Sequence, residues 1–85
     1  MKITLNLKTM QSPEAVHSYL AAALSLPPYY GKNLDALYDV LTDWDRPAVF
    51  RLRLPETGDM AAYGQRLRRV FRDAAAANPR LTLLD

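Results

Sequence analysis

Apolar and polar residues alternate strictly at the start of the chain, where Ile3, Leu5 and Leu7 fall between Lys2, Thr4 and Asn6. A period of two predicts a strand with one face buried. The period then lengthens. Ser12-Pro13 supplies a helix N-cap and first helical position, and Ala15, Val16, Tyr19, Leu20, Ala23 and Leu24 follow at helical spacing, so a first helix is predicted over roughly 13–24. Leu26-Pro27-Pro28 stops it, because each proline disfavours helical geometry in the residue before it. Gly31 permits a turn, and Asn33 is a good N-cap for a second helix of about residues 34–43.

Ala48 to Leu54 predicts a second strand, with Phe50, Leu52 and Leu54 on one side, Arg51 and Arg53 on the other, and Pro55 as its end. From about Asp59, residues Met60, Tyr63, Leu67, Val70, Phe71 and Ala74 resume helical spacing until Asn78-Pro79. Arg80 to Leu84 predicts a short final strand. The element order is then β-α-α-β-α-β. Helical connections of this length suit crossovers between parallel strands, so the expected fold is α/β, a small three-stranded parallel sheet with helices packed against it.

Composition narrows the function. Eighty-five residues suffice for one domain with a modest core. An apolar fraction of 49% with 24% charged residues fits a folded domain and neither a disordered nor a membrane-spanning chain. The absence of cysteine excludes disulfides and thiolate chemistry, and His17 alone cannot build a histidine metal cluster. The first ten residues lack the apolar core of a secretory signal, so cytoplasmic residence is expected. The net charge of +2 would suit an acidic partner, but its distribution is bipolar: Asp35, Asp39, Asp43 and Asp45 precede every arginine of the chain.

On the second predicted helix, Leu34, Leu37, Tyr38, Leu41 and Trp44 fall in one arc, while Asp35, Asp39, Thr42 and Asp43 fall in another. Like charges four residues apart cost a helix roughly 0.2–0.5 kcal/mol per pair, and acids near its C-terminus oppose the macrodipole. Asp35 suits the first turn; Asp39 and Asp43 do not. Acids on an exposed helix are ordinarily just solvated. Here, however, Tyr29 and Tyr30 bring aromatic rings into the preceding loop and Trp44 stands at the far end, which is how a binding hot spot is composed. Each neighbour also has a plain role: tyrosines pack, Asn33 caps, Gly31 turns, and Trp44 joins the core.

The stretch LPPYYGKNLDALYDVLTDW resembles the signature of the barstar family, intracellular inhibitors of microbial extracellular ribonucleases of the barnase type. The likeness runs without gaps from about Leu26 to Trp44, VFRDA at 70–74 resembles the family's last helix, and the order of elements agrees throughout. The resemblance implies that the second helix and the loop before it plug a ribonuclease active site in a 1:1 complex, with a carboxylate where the RNA phosphate binds. Carried over position by position, it implies contacts from Tyr29, Gly31, Asn33, Asp35, Tyr38, Asp39, Thr42 and Trp44, with Asp73 at an acidic position of the last helix. It implies no cofactor, metal, membrane or small-molecule substrate. A ribonuclease grips phosphate with cationic side chains, so carboxylates on a rigid helix can accept the same charge-assisted hydrogen bonds. Asp39 would be the principal anion, Asp35 would pair with a second base, and Tyr29 would cover the site. This chain departs from the family at Tyr38, where the usual ring is larger or less polar, at Asp43, where a small residue is tolerated, and at Ala77, where a second acid of the last helix would stand. It is also basic overall.

Two other function classes compete. Arg66, Arg68, Arg69 and Arg72 lie at helical spacing and could track phosphates, yet no aromatic ring interleaves with them, and one basic stretch is a weak nucleic-acid footprint. A magnesium or acid–base site at Asp35, Asp39 and Asp43 needs carboxylates that converge, whereas residues on one exposed helix diverge. His17, between Val16 and Tyr19, fits a surface or hydrogen-bonded histidine better than a catalytic one, and no nucleophile motif accompanies it. An inhibitor rather than an enzyme is expected.

Overall fold

The computed structural model describes residues 1–84. Strand β1 (Lys2–Asn6) is followed by helices α1 (Pro13–Ala23) and α2 (Leu34–Thr42), strand β2 (Ala48–Arg53), helix α3 (Met60–Ala77) and strand β3 (Leu81–Leu84). The expected order, β-α-α-β-α-β, is the observed one. The strands form one sheet in the order β1-β2-β3, with both neighbours parallel to the central β2. Register pairs Thr4 with Arg51 and Asn6 with Arg53 on one side, and Arg51 with Leu84 on the other.

Alternation decides which face of the sheet is covered. Leu5 and Leu7, Ala48, Phe50 and Leu52, and Leu81 are buried. Their alternate neighbours Lys2, Thr4, Asn6, Arg51, Arg53, Thr82 and Leu84 are exposed. The helices therefore lie on one side of the sheet and the other side faces water. The covered side meets Val16 and Leu20 of α1, Leu37 and Leu41 of α2, and Leu67, Phe71 and Ala74 of α3 in one core. Phe50 sits at its centre, its ring edge-on to Phe71 at 5.2 Å and to Trp44 at 6.0 Å, geometries that suit the aromatic quadrupole.

The helix starts follow the capping chemistry. The Ser12 hydroxyl accepts from the Ala15 N–H, Pro13 occupies the first turn, and the Asn33 side chain accepts from the Ala36 N–H at 2.7 Å. Three details differ from expectation. Ala23 of the α1 stripe is exposed. The ladder of β2 ends at Arg53, leaving Leu54 buried just beyond it. The left-handed backbone before α2 belongs to Lys32, with φ 55°, rather than to Gly31. Gly31 answers a different need: a Cβ there would stand 3.3 Å from that of Ala36, so its missing side chain lets the loop close on the first turn of α2.

Asn78, in sequence only the helix stop before Pro79, proves to be a buried clamp. Its side-chain N–H groups donate to the carbonyls of Leu41 at 3.1 Å and Trp44 at 3.0 Å, with Thr42 farther at 3.4 Å, and its side-chain oxygen accepts from the Arg80 N–H. Two of these carbonyls lie in the last turn of α2 and the third just beyond it, and that of Leu41 also accepts from the Trp44 N–H at 3.2 Å. One side chain thus fastens the end of α2 to the turn between α3 and β3. Asn78→Ala should lower stability by about 3 kcal/mol, because several buried polar groups lose their partner at once. Urea unfolding measures this, and Asn78→Asp, which cannot donate, should rescue little of it.

Candidate functional site

Nine residues of α2 present two faces of opposite character. Leu37 and Leu41 are fully buried. With residues stepped by about 100°, Asp39 falls directly opposite that pair, with Asp35 and Asp43 on either side of it. All three acids are exposed, and none forms an ion pair among the described residues. Tyr38 is 36% exposed, so it belongs to the edge of the free face and not to the packing arc. Thr42, four residues on and on the same flank as Tyr38, is half-buried and turns its hydroxyl back onto the carbonyls of Tyr38 at 3.0 Å and Asp39 at 3.1 Å. Asp43 is the C-cap, its N–H bonded to the Asp39 carbonyl.

The loop before α2 splits its two tyrosines. Tyr29 is 86% exposed, which removes the alternative that it packs over α1. Tyr30 turns inward and is 7% exposed, so it does not offer a second ring beside the acids. Its hydroxyl meets His17 Nδ1 at 2.6 Å, while His17 Nε2 meets the Tyr63 hydroxyl of α3 at 2.6 Å. A neutral imidazole donates through one nitrogen and accepts through the other, so one hydroxyl accepts and the other donates. The loop is thereby tied to α1 and α3 through a single buried ring. Asn33 is committed on both ends of its amide: besides capping α2, it donates to the Gly31 carbonyl at 3.3 Å.

The other expected contacts sit farther out. Trp44 follows the end of α2, half-buried against Phe50, with the Arg46 guanidinium 5.5 Å over its ring. It lines an open hollow with the start of β1 and the end of α1. Its indole N–H is buried without a hydrogen-bond partner among the described residues. Asp73 is exposed on the flank of α3 that carries Tyr63 and Val70, and Tyr63 reaches α1. Arg68 occupies the opposite flank and lines a hollow with β2. Among the described residues no group of three or more His, Asp or Glu is placed to hold a metal, and no helix is long and apolar enough to cross a membrane.

Residues 1–82 match the family described as Barstar (barnase inhibitor). The chain belongs to the barstar family. It is also similar to the "Putative ribonuclease inhibitor YrdF" of Bacillus subtilis (strain 168), with 42% identity over 53 residues that make up 61% of this chain. The matched stretch spans 58% of that curated relative's length. The stretch from Leu26 to Trp44 that resembles the family signature thus spans the loop, the capped start of α2, both its buried and exposed faces and its C-terminal edge, with one tyrosine out and one in. Reading the sequence could not find the His17–Tyr30–Tyr63 bridge, because its members lie 13 and 46 positions apart and each alone resembles an ordinary core or surface residue.

Burial pushes the His17 imidazole below its ordinary value of 6.5. Burial, followed by the nearby Tyr63, pushes the Tyr30 phenol up to about 12. Below about pH 6.5 the unfolded chain takes up a proton that folded His17 refuses; above about pH 10 it releases one that folded Tyr30 keeps. Stability should therefore be greatest between these values, falling as pH drops below the first and as it rises above the second. Urea midpoints measured from pH 5 to 11 check this. His17→Gln should flatten the slope just below about pH 6.5 and Tyr30→Phe the slope above about pH 10; unchanged slopes would remove the bridge from the account.

Proposed function

We propose that this chain is an intracellular protein inhibitor of a barnase-type ribonuclease, binding it one to one and closing its active site with the free face of α2 and the loop before it. The observation that carries this reading is Asp39, held opposite the buried Leu37–Leu41 pair, with no ion pair among the described residues. An active site that binds RNA phosphate through arginine, lysine and histidine offers donors that such a carboxylate can accept without moving. The helix is already fixed at both ends, by Asn33 at its start and Asn78 at its finish, so little conformational freedom is lost on binding.

Asp35 accompanies Asp39 on the same face and takes a second cationic partner, while Tyr29 and Tyr38 supply exposed aromatic rings. Gly31 and Asn33 shape the loop that admits the enzyme closely, and Thr42, Trp44 and Asp73 extend the contact along its rim. Neither the carboxylates nor His17 form a convergent acid–base pair, which favours inhibition over catalysis. The family match and the relative's description point the same way.

Ribonuclease activity titrated with the folded protein tests the reading, using a barnase-type enzyme and any ribonuclease encoded beside this chain. Inhibition should reach completion at one equivalent. Asp39→Ala should raise the inhibition constant about tenfold to a hundredfold, the loss of charge-assisted hydrogen bonds worth roughly 1.5–3 kcal/mol. Asp43→Ala, nearer the helix end, should cost less. Failure to inhibit either enzyme overturns the reading.

A further inference from the structure

The uncovered face of the sheet is strongly cationic. Arg51 and Arg53, two positions apart on β2, project from it with their Cα atoms about 6.6 Å apart. With Lys8 and Arg68 they line one shallow hollow, in which Glu56 is the single acid among the described residues. Lys2 joins Arg51 and Arg53 in a second hollow across β1. A third continues from Gln65 and Arg68 over the outside of α3 to Arg66, Arg69 and Arg72. Consecutive hollows share residues, so they form one track. It gathers eight of the chain's eleven lysines and arginines, leaving only Lys32, Arg46 and Arg80 elsewhere.

We propose that this track, running from the open sheet face over α3, is a second binding surface, and that it takes the sugar–phosphate backbone of single-stranded RNA. A linear polyanion fits a row of cationic side chains in which guanidinium groups such as those of Arg51 and Arg53 can grip phosphate through two hydrogen bonds. Among the described residues the sheet face offers only Val49 and Leu84 as apolar side chains and no aromatic ring, so it lacks the anchor on which protein interfaces depend. A second copy docking its acidic helix here would make a head-to-tail contact, which builds rings or filaments and not the commonest two-fold dimer. The same lack of aromatic rings on the sheet face leaves none for base stacking, so binding there is indifferent to sequence and steeply salt-dependent. The choice of RNA among polyanions rests on the ribonuclease reading above, since such an inhibitor works where RNA is being cut. The face itself does not rest on it.

Fluorescence anisotropy of a labelled single-stranded RNA of about 20 nucleotides, titrated with the full chain from about 50 to 200 mM salt, tests this. Wild-type protein should bind, with affinity falling linearly on logarithmic axes. Arg51→Glu with Arg53→Glu should weaken binding at least tenfold and reduce the salt slope by about 1.4, the loss of two single-strand phosphate contacts. Arg51→Gln with Arg53→Gln, folded by circular dichroism, should do the same more mildly. Lys32→Glu with Arg80→Glu changes net charge equally but lies off the track, and should bind nearly as wild type. Equal loss in that control would assign binding to net charge and overturn the proposal, as would no binding at 50 mM salt. Self-association abolished by both Asp39→Ala and the Arg51/Arg53 variants, without RNA binding, would hand the face to a second copy and also overturn it. The Arg51/Arg53 variants should inhibit ribonuclease normally. Wild-type protein that binds RNA but inhibits nothing would sustain this proposal while removing the other.

Discussion

Parallel strands are ordinarily covered on both faces, because their crossover helices distribute over both sides of the sheet. Here the three helices share one side, and the strands alternate accordingly: Phe50 and Leu52 turn in while Arg51 and Arg53 turn out. The core is a single interlayer contact, centred on Phe50 with Phe71 at one edge and Trp44 at another. Apart from the buried, hydrogen-bonded His17 and Asn78, the polar side chains gather on two outer surfaces. One is the far side of the helices, where α2 presents Asp35, Asp39 and Asp43. The other is the bare face of the sheet. In so small a domain, a second helical layer would need apolar residues that the chain spends on one side only.

Such a thin core leaves α2 little to lean on. Nine residues are fewer than an isolated helix needs in water, so its stability comes from Leu37 and Leu41 and from its ends. Both ends are held by asparagine. Asn33 caps the start and folds the amide back onto Gly31, while Asn78 reaches from beyond α3 to the carbonyls at the finish. The loop before α2 is anchored in turn by Tyr30 on His17, itself bonded to Tyr63. With Tyr30 spent on anchorage, Tyr29 is free to stand exposed. Rigid support around this acidic face keeps in place like charges that a short helix would otherwise shed, which on the proposed reading is what a cationic partner requires.

Much of this was legible from periodicity. The alternation of Ile3, Leu5 and Leu7, the proline stops at 27–28 and 79, and the caps Ser12 and Asn33 predict the elements nearly to the residue. The split of α2 into Leu37–Leu41 and Asp35–Asp39 follows from helical geometry alone. What pattern could not supply was anything depending on distant residues meeting. Asn78 reads as a stop signal because its three acceptors lie some 34 to 37 positions upstream. Tyr30 reads as a twin of Tyr29, and only the position of His17 distinguishes them. Gly31 looks like a turn residue, whereas the left-handed conformation falls on Lys32 and the glycine admits the Ala36 side chain. Likewise the arginines of β2 and α3 are separate stretches in sequence and become neighbours only because β2 is central and α3 packs beside β3.

The net charge of +2 gives little guide to what either surface meets. Even the thinnest dimension of the molecule is 19 Å, more than twice the Debye length of about 8 Å at physiological salt. A partner approaching α2 through solvent is therefore steered by the carboxylates in front of it, while the arginines behind the core are largely screened. The reverse holds at the sheet. Separation by the core also keeps the two sets from neutralising one another within the molecule, which a mixed surface would do through local ion pairs. A one-sided sheet thus allows an acidic face on a basic protein, and, on the proposed reading, lowering the ionic strength should bring the two fields into competition, weakening the attraction of α2 for a cationic partner relative to an inhibitor without the basic face.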